Sequence, residues 1–409
     1  MMPHARSVVT RWNALPLYVR ILLAMIAGIP VGMALGADAA ALEVISKTVL
    51  QLLGALAPPL ILVAVMHVLM TTEIGGRKAI RLAGLLLLNT LVAIGIGLAV
   101  ANVLEPGSWA EVKPPEPKSA RPEQMSPIDI IVQNIPKSFV GPLGDRQNII
   151  GVIIIAVALG VALRSRRDRP LATVRDLVEV AYDILVTMLH WIIHIVPLGV
   201  FAIVAKTIGT EGFGPFKAMG AFVVAVLLAL ALQACWYLLR IKYFSWVRPL
   251  DVLRGMRDAL VMAFSTGSST ATMPVTYTCL KEKVGIREES ASLGSLVGAN
   301  FNNDGTALYE AMSALFVSQL LGHHLPLDKQ LMVVLTSIVA SVGAAGIPEA
   351  GLVTMTLVFT AVGLPVEYIA LLLTVDWFLD RCRTTINVLG DVNVSCLLDG
   401  RVRPLPNPT

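Results

Sequence analysis

Six apolar runs, at about 17–36, 45–70, 79–104, 149–164, 172–207 and 217–241, dominate the first half of the sequence. A helix that crosses a bilayer needs about 20 predominantly apolar residues, and hydrocarbon tolerates a spanning backbone only where its polar groups are bonded internally. The runs therefore predict a succession of membrane helices, the fourth with an amphipathic lead-in from 126. Composition agrees: 15% of the 409 residues are charged and 56% hydrophobic, against about 25% charged in a soluble domain. The stretch 106–125, PGSWAEVKPPEPKSARPEQM, is rich in proline and charge and predicts an exposed loop. The basic leader MMPHARSVVTRWNALPLYVR resembles a signal peptide, but a second apolar run follows too soon for a mature soluble domain. We read 17–36 as the first membrane helix.

Basic residues give an orientation. Arg6 and Arg11 precede the first helix, Arg77, Lys78 and Arg81 lie between the second and third, and Arg164, Arg166, Arg167 and Arg169 follow the fourth. These are alternate loops, so the positive-inside rule places the amino terminus in the cytoplasm. Arg401 and Arg403 agree with a cytoplasmic carboxyl terminus and an even number of crossings. The bases cluster in short segments between apolar runs, and aromatic stacking modules and basic helices are absent. The formal charge of +4 thus predicts no nucleic-acid partner. Cys235, Cys279, Cys382 and Cys396 have no CxxC or paired spacing and are expected to stay reduced.

After about residue 250 the apolar runs are broken by polar clusters: FSTGSSTATMP (264–274), NFNNDGT (300–306), SVGAAGIPEAG (341–351) and DWFLDRCRTTINVLGD (376–391). Irregular backbone at membrane depth is tolerated only inside protein or along a cavity. The interruptions at 267–274 and 343–351 carry Gly and Pro between short apolar arms, which predicts two re-entrant hairpins. Each is followed by a longer polar-bearing helix, at 288–319 and 366–398. Such a repeated pair of interrupted segments points to a transporter's binding site.

Taken as a helix, the last cluster sets Asp376, Asp380, Arg383, Asn387 and Asp391 on one face, at spacings of 4, 3, 4 and 4. Each charge at a helix centre costs roughly 2.5–3.5 kcal/mol on insertion scales, so this stripe cannot face lipid. The bland reading is mutual neutralisation through i,i+3 and i,i+4 pairs. The functional reading is a ligand site. A carboxylate suits an ammonium group, a guanidinium one turn away grips a carboxylate bidentately, and a further aspartate suits a hard cation. Pairing alone leaves the Ser/Thr clusters and Gly turns of both hairpins unexplained.

SSTATMPVT, NDGTALYEA, GAAGIPEAGLVTM and DWFLDRCRTTINVLGD, in this order, resemble signatures of the glutamate/aspartate transporter family, the dicarboxylate/amino acid:cation symporters. The resemblance is strong from about 255 to 398 and collinear before that, through PPLI (58–61), GGR (75–77), EPG (105–107) and VPLGVFA (196–202). It implies an all-α polytopic membrane protein of eight transmembrane helices plus two re-entrant helical hairpins. These form inverted repeats in an elevator-type transporter that is a homotrimer in the plasma (inner) membrane. The implied division is 1–105 for the first three helices (scaffold, with the third in the transport domain), 106–148 for an external loop and lead-in, and 149–250 for helices 4–6. The substrate and ion core then covers 251–399, and 400–409 is a cytoplasmic tail.

By position, the resemblance implies that Asp380, helped by Thr384, holds the substrate amino group. Arg383, with Thr306 and the Gly351 amide, holds the side-chain carboxylate. Asn387 and the backbone around Ser269 hold the α-carboxylate, and Ser268 and Ile347 complete the substrate-binding set. One sodium site is implied at Asp391 with the carbonyls of Gly298, Asn302 and Asn387. A deeper one falls at Asp304, Asn302, Thr90 and Asn89, and a third at carbonyls around Asn300, Ser341 and Val342. Glu310 matches the acid that carries a coupled proton in animal-type members. Sodium ions, protons or both are the implied coupling ions. The sequence departs from the family pattern at Asn303 (usually Met), Asn300 (Thr), Leu86 (often Tyr), Asn89 (Thr) and Glu349 (Gln or Gly), mostly at cation positions. Arg381 with Gly267 matches the branch whose arginine lies on the last helix.

Other signals carry less. His190 and His194 are i,i+4, but Trp191 stands where a zinc HExxH has glutamate, so an ordinary packed pair is expected. His323 and His324 read as a solvated loop. GxGxxG, GxxxxGK and GxSxG are missing, which argues against an enzyme. The expected function is cation-coupled symport of aspartate or glutamate across the lipid bilayer. Two alternatives stay open: a C4-dicarboxylate symporter of the same fold, for which Asp380 would be unneeded, and a membrane anion channel or enzyme without coupled transport.

Overall fold

The computed structural model describes residues 15, 17–71, 76–109, 136, 138–144, 149–165, 172–343 and 350–402. Among them all regular structure is helical. Each of the six apolar runs forms a helix: α1 Leu17–Leu35, α2 Glu43–Thr71, α3 Gly76–Leu104, α4 Ile149–Ser165, α5 Ala172–Glu211 and α6 Gly214–Phe244. By length and hydropathy alone, four described segments suffice to cross a membrane: Val19–Val49, Ile80–Trp109, Thr173–Thr210 and Gly214–Phe244.

The helices fall into two packed groups. In the first, α1 and α2 lie along α5, and α2 also packs on α4. Small residues let α1 approach closely, since a Cβ on Gly28 would meet the Phe201 carbonyl oxygen of α5 at 2.9 Å. In the second group, α3 and α6 enclose the elements of the second half. These begin with a helical hairpin, α7 Arg257–Thr266 and α8 Ser269–Thr278. α7 follows directly on the short helix Pro249–Gly255 and α8 runs on π-helically over Cys279–Val284, yet each arm stays short of the about 20 residues that a bilayer crossing takes. Gly267 turns the chain at φ +65°, and the Ser268 hydroxyl caps α8 by accepting the Ala271 N–H at 3.1 Å. A second hairpin pairs α9 Leu327–Gly343 with α10 Ala350–Val362. Its predicted tip, with Ile347 and Glu349, lies outside the described residues.

One expectation is corrected. The segment 288–319, expected as one helix, is two helices with an unwound joint. A helical stretch over 288–301, π-helical at Leu293–Val297, ends at Asn302 (φ −98°, ψ 70°) and Asn303 (φ −101°, ψ 46°). α11, Asp304–Leu320, then begins. The cause is tertiary. The Asn302 side-chain amide donates to the Asn387 carbonyl at 3.0 Å and that of Asn303 to the Ser341 carbonyl at 2.9 Å. These distant partners outweigh continuation of a helix in which Asn has little propensity.

The last helix, α12 Ile369–Asp399, runs 31 residues through the middle of the second group. Its end is tied down by Asp399, which accepts from the Arg287 backbone N–H at 3.1 Å and from the Trp246 indole at 2.7 Å and pairs with Arg287 Nε at 3.1 Å. Arg287 is half-exposed, so the ion pair is screened, while the orphaned donors in Asp399→Ala still cost about 2–3 kcal/mol. That variant is expected to lose thermal stability in detergent, and an unchanged melting temperature would show the tie to be idle.

Candidate substrate and cation site

The stripe read from the sequence is helical and buried: Asp376, Asp380, Thr384, Asn387 and Asp391 are each below a tenth exposed, and Arg383 is fully enclosed. The Arg383 guanidinium is held from three sides. Nη2 donates to Asp380 Oδ1 at 2.8 Å, and Nη1 stands 2.9 Å from Asp376 Oδ1, close but without hydrogen-bond alignment. The Tyr309 ring of α11 lies 4.0 Å from the guanidinium carbon. Both readings of the stripe thus find support, because the charges pair with one another at a place where other elements converge.

Those elements come from both hairpins and from α11. A Cβ on Gly267, at the first hairpin's turn, would lie 3.0 Å from Asp380 Oδ2. Ser268 and Ser269 are buried beside it. A Cβ on Gly351, at the start of the second hairpin's outer arm, would lie 3.2 Å from the Thr306 methyl and 3.5 Å from Arg383 Nη2. The Gly305 N–H donates to Asn387 Oδ1 at 2.7 Å, joining α11 to α12. Asp380, Arg383, Asn387, Thr306, Gly351 and the Ser268–Ser269 turn therefore surround one locus, with Thr384 buried on the same helix. Glu310 is fully buried nearby on α11. Thr354 of the second hairpin donates to its Oε1, and Oε2 has no hydrogen-bond partner among the described residues.

The three implied cation positions differ in kind. At the first, Gly298 abuts the Asp391 carboxylate. Asp391 Oδ1 and Asn302 Oδ1 are both buried without a hydrogen-bond partner among the described residues. Orphaned oxygens, one anionic, fit a hard cation. At the deeper position three of the four implied residues are already engaged, Asn302 Oδ1 being the exception. Asp304 accepts from the Thr90 hydroxyl at 2.7 Å and from the Tyr237 hydroxyl, and Asn89 Oδ1 accepts from Arg240. At the third, the Asn303 amide nitrogen occupies the carbonyls themselves, donating to Ser341 at 2.9 Å and Asn300 at 3.4 Å. Val342 belongs to α9, and its side chain lies outside the described ones.

Asn303 thus bonds the second hairpin through a donor where a family member has a thioether. Replacing it removes that donor and releases the Ser341 carbonyl to a cation. Under the sodium-coupled aspartate binding that the resemblance implies, Asn303→Met is expected to make that binding more steeply sodium-dependent, with a higher Hill coefficient, when sodium is titrated against choline. Superimposable curves for the two proteins would mark the residue as neutral packing.

Some of the site escaped the sequence reading. The sequence places Asp376 on the stripe, and the structure makes it a second counter-ion to Arg383. On α6, Gln233, Tyr237 and Arg240 form another buried polar face, with Gln233 donating to the Asn89 carbonyl at 3.3 Å. Their spacing of 4 and 3 inside an apolar run was the available signal. His190 and His194 each donate through Nδ1 to the carbonyl one turn earlier, at 2.8 and 2.6 Å. No group of three His, Cys, Asp or Glu side chains gathers as a metal site among the described residues.

The model of the sodium:dicarboxylate symporter family matches residues 17–401. The chain is 39% identical over 255 residues to excitatory amino acid transporter 3 of Oryctolagus cuniculus, covering 62% of this chain and 48% of that one. It is 36% identical over 290 residues to excitatory amino acid transporter 3 of Homo sapiens, covering 69% and 55%. An excitatory amino acid transporter of Caenorhabditis elegans is 38% identical over 248 residues, covering 60% and 49%. The aligned part is about half the length of these relatives. A match running from α1 past the end of α12, over the buried stripe and both hairpins, makes this chain a member of the sodium:dicarboxylate symporter family.

Proposed function

We propose that the chain is a secondary active transporter that carries aspartate or glutamate with sodium, protons or both. The observation that carries this reading is the enclosed Asp376–Arg383–Asp380 group, at the meeting of two hairpins, α11 and α12. One guanidinium and two carboxylates leave a net negative charge. An acidic amino acid offers both what Arg383 can grip and what Asp380 can hold. As the substrate carboxylate engages Nη2, Asp380 is released to accept from the ammonium, and Asp376 keeps the guanidinium compensated. A dicarboxylate without an amino group would leave Asp380 facing an anion, which argues against the C4-dicarboxylate alternative. Asp391 and Asn302 supply a cation site beside the substrate.

The proposed architecture is eight transmembrane helices and two re-entrant hairpins, both termini cytoplasmic, in a trimer in the plasma (inner) membrane. The grouping of helices supports an elevator motion: α3, α6, the hairpins, α11 and α12 would move as one body against α1, α2, α4 and α5. Ligand competition on purified protein tests the substrate class. Aspartate and glutamate should displace a bound acidic amino acid at concentrations far below succinate or neutral amino acids. Preference for succinate would overturn the reading.

Glu310 is proposed as the proton carrier. It is fully buried, contacts the second hairpin through Thr354, and has one unbonded oxygen, so movement with the carrier requires it neutral or paired. Glu310→Gln is expected to abolish the pH dependence of net uptake while substrate exchange persists. Proton-driven net uptake surviving in this variant would remove Glu310 from coupling.

A further inference from the structure

Asp304 is fully enclosed, and its side-chain hydrogen-bond donors among the described residues, Thr90 and Tyr237, are neutral hydroxyls. A buried carboxylate bonded only by neutral donors still needs a compensating charge. A coupled cation would normally provide it, using Asp304, Asn302, Thr90 and Asn89. Here a protein cation reaches the same place. Arg240 is 6% exposed, donates to Asn89 Oδ1, and lies one helical turn from Tyr237, which bonds Asp304. It shares a face of α6 with Tyr237, three residues earlier, and Gln233, four before that. All three reach α3 or Asp304, so the guanidinium is delivered by the helix that also bonds the carboxylate. A guanidinium offers only donors, so Asn89 Oδ1 cannot serve it and a metal ion at full strength. Two cations sharing one small shell also repel.

We propose that Arg240 is a tethered cation occupying the electrostatic place of a coupled ion beside Asp304, so that this transporter binds one sodium fewer at that position. The inference rests on the transport reading above and concerns which ions accompany the substrate. Arg240 is a specificity-determining residue for the coupling ion, and the Asn303 amide at the Ser341 carbonyl repeats the device with a neutral donor. Sodium then binds chiefly at Asp391 and Asn302, where oxygens remain unbonded.

The test is ²²Na⁺ retention per protomer by purified protein without substrate, alongside aspartate binding titrated with sodium in choline. R240Q should retain an additional sodium ion and show a steeper sodium dependence, whereas R240K, which keeps the charge, should match the parent protein. If R240Q is unstable in sodium-free buffer, sodium should restore its monodisperse profile and melting temperature, because the metal replaces the lost charge. Equal sodium retention by R240Q and the parent protein overturns the proposal. So does a gain of sodium in R240K, or failure of sodium to rescue an unstable R240Q. Should the parent protein bind sodium but no acidic amino acid, the transport reading fails while the retention comparison still decides the role of Arg240.

Discussion

Arg383→Cys is expected to abolish aspartate uptake while leaving or creating weak uptake of small neutral amino acids. The guanidinium is the cation aimed at the enclosed locus, and its fork geometry lets it grip a carboxylate bidentately as no lysine can. Truncating one partner of a buried charge pair costs about 2–5 kcal/mol or more, and each 1.4 kcal/mol is about tenfold in affinity. Aspartate binding should therefore weaken by at least ~30-fold. On the proposed reading the substitution deletes the side-chain carboxylate clamp and leaves Asp380 for the ammonium group and Asn387 with the Ser269 backbone for the α-carboxylate. Because Asp376 and Asp380 lose their shared counter-ion, the variant will also be less stable, so uptake must be normalised to folded protein. Unchanged aspartate affinity in folded Arg383→Cys would refute the clamp.

Asp380→Ala should have an effect of similar size but opposite selectivity. Aspartate and glutamate lose the acceptor for their ammonium group, whereas a dicarboxylate lacking that group loses nothing and is relieved of a facing anion. Arg383 keeps Asp376 at 2.9 Å, so the substitution does not leave a buried guanidinium uncompensated, and the fold should survive. The measurement is the ratio of aspartate to succinate affinity in parent and variant. A fall of that ratio by about 30-fold or more is expected, the value of about 2 kcal/mol. Equal losses for both ligands would make Asp380 a structural or cation-binding residue.

The apolar helices were legible because each run is continuous, and each became one helix within a few residues. The sequence also revealed the α12 stripe, since five polar residues at 4, 3, 4 and 4 leave little choice of face. The first hairpin was visible through Gly267, whose left-handed φ is a backbone requirement that composition betrays. The joint at Asn302–Asn303 was not, because neither Gly nor Pro marks it. Its cause lies in carbonyls 38 and 85 residues away in sequence. Arg240 escaped for a different reason. One arginine near the end of a long apolar run reads as a helix terminus until Asn89 and Asp304 are seen beside it. Local patterns predict elements and faces; the partners that reassign a side chain's role come from distant segments.

The central claim is tested most directly in liposomes containing the purified parent protein, with radiolabelled aspartate outside and sodium and proton gradients imposed inward. The account predicts uptake that exceeds equilibration, is competed by glutamate but poorly by succinate or neutral amino acids, and collapses when both gradients are dissipated. Aspartate flux that only equilibrates, indifferent to both gradients, or no aspartate flux at all, would contradict it.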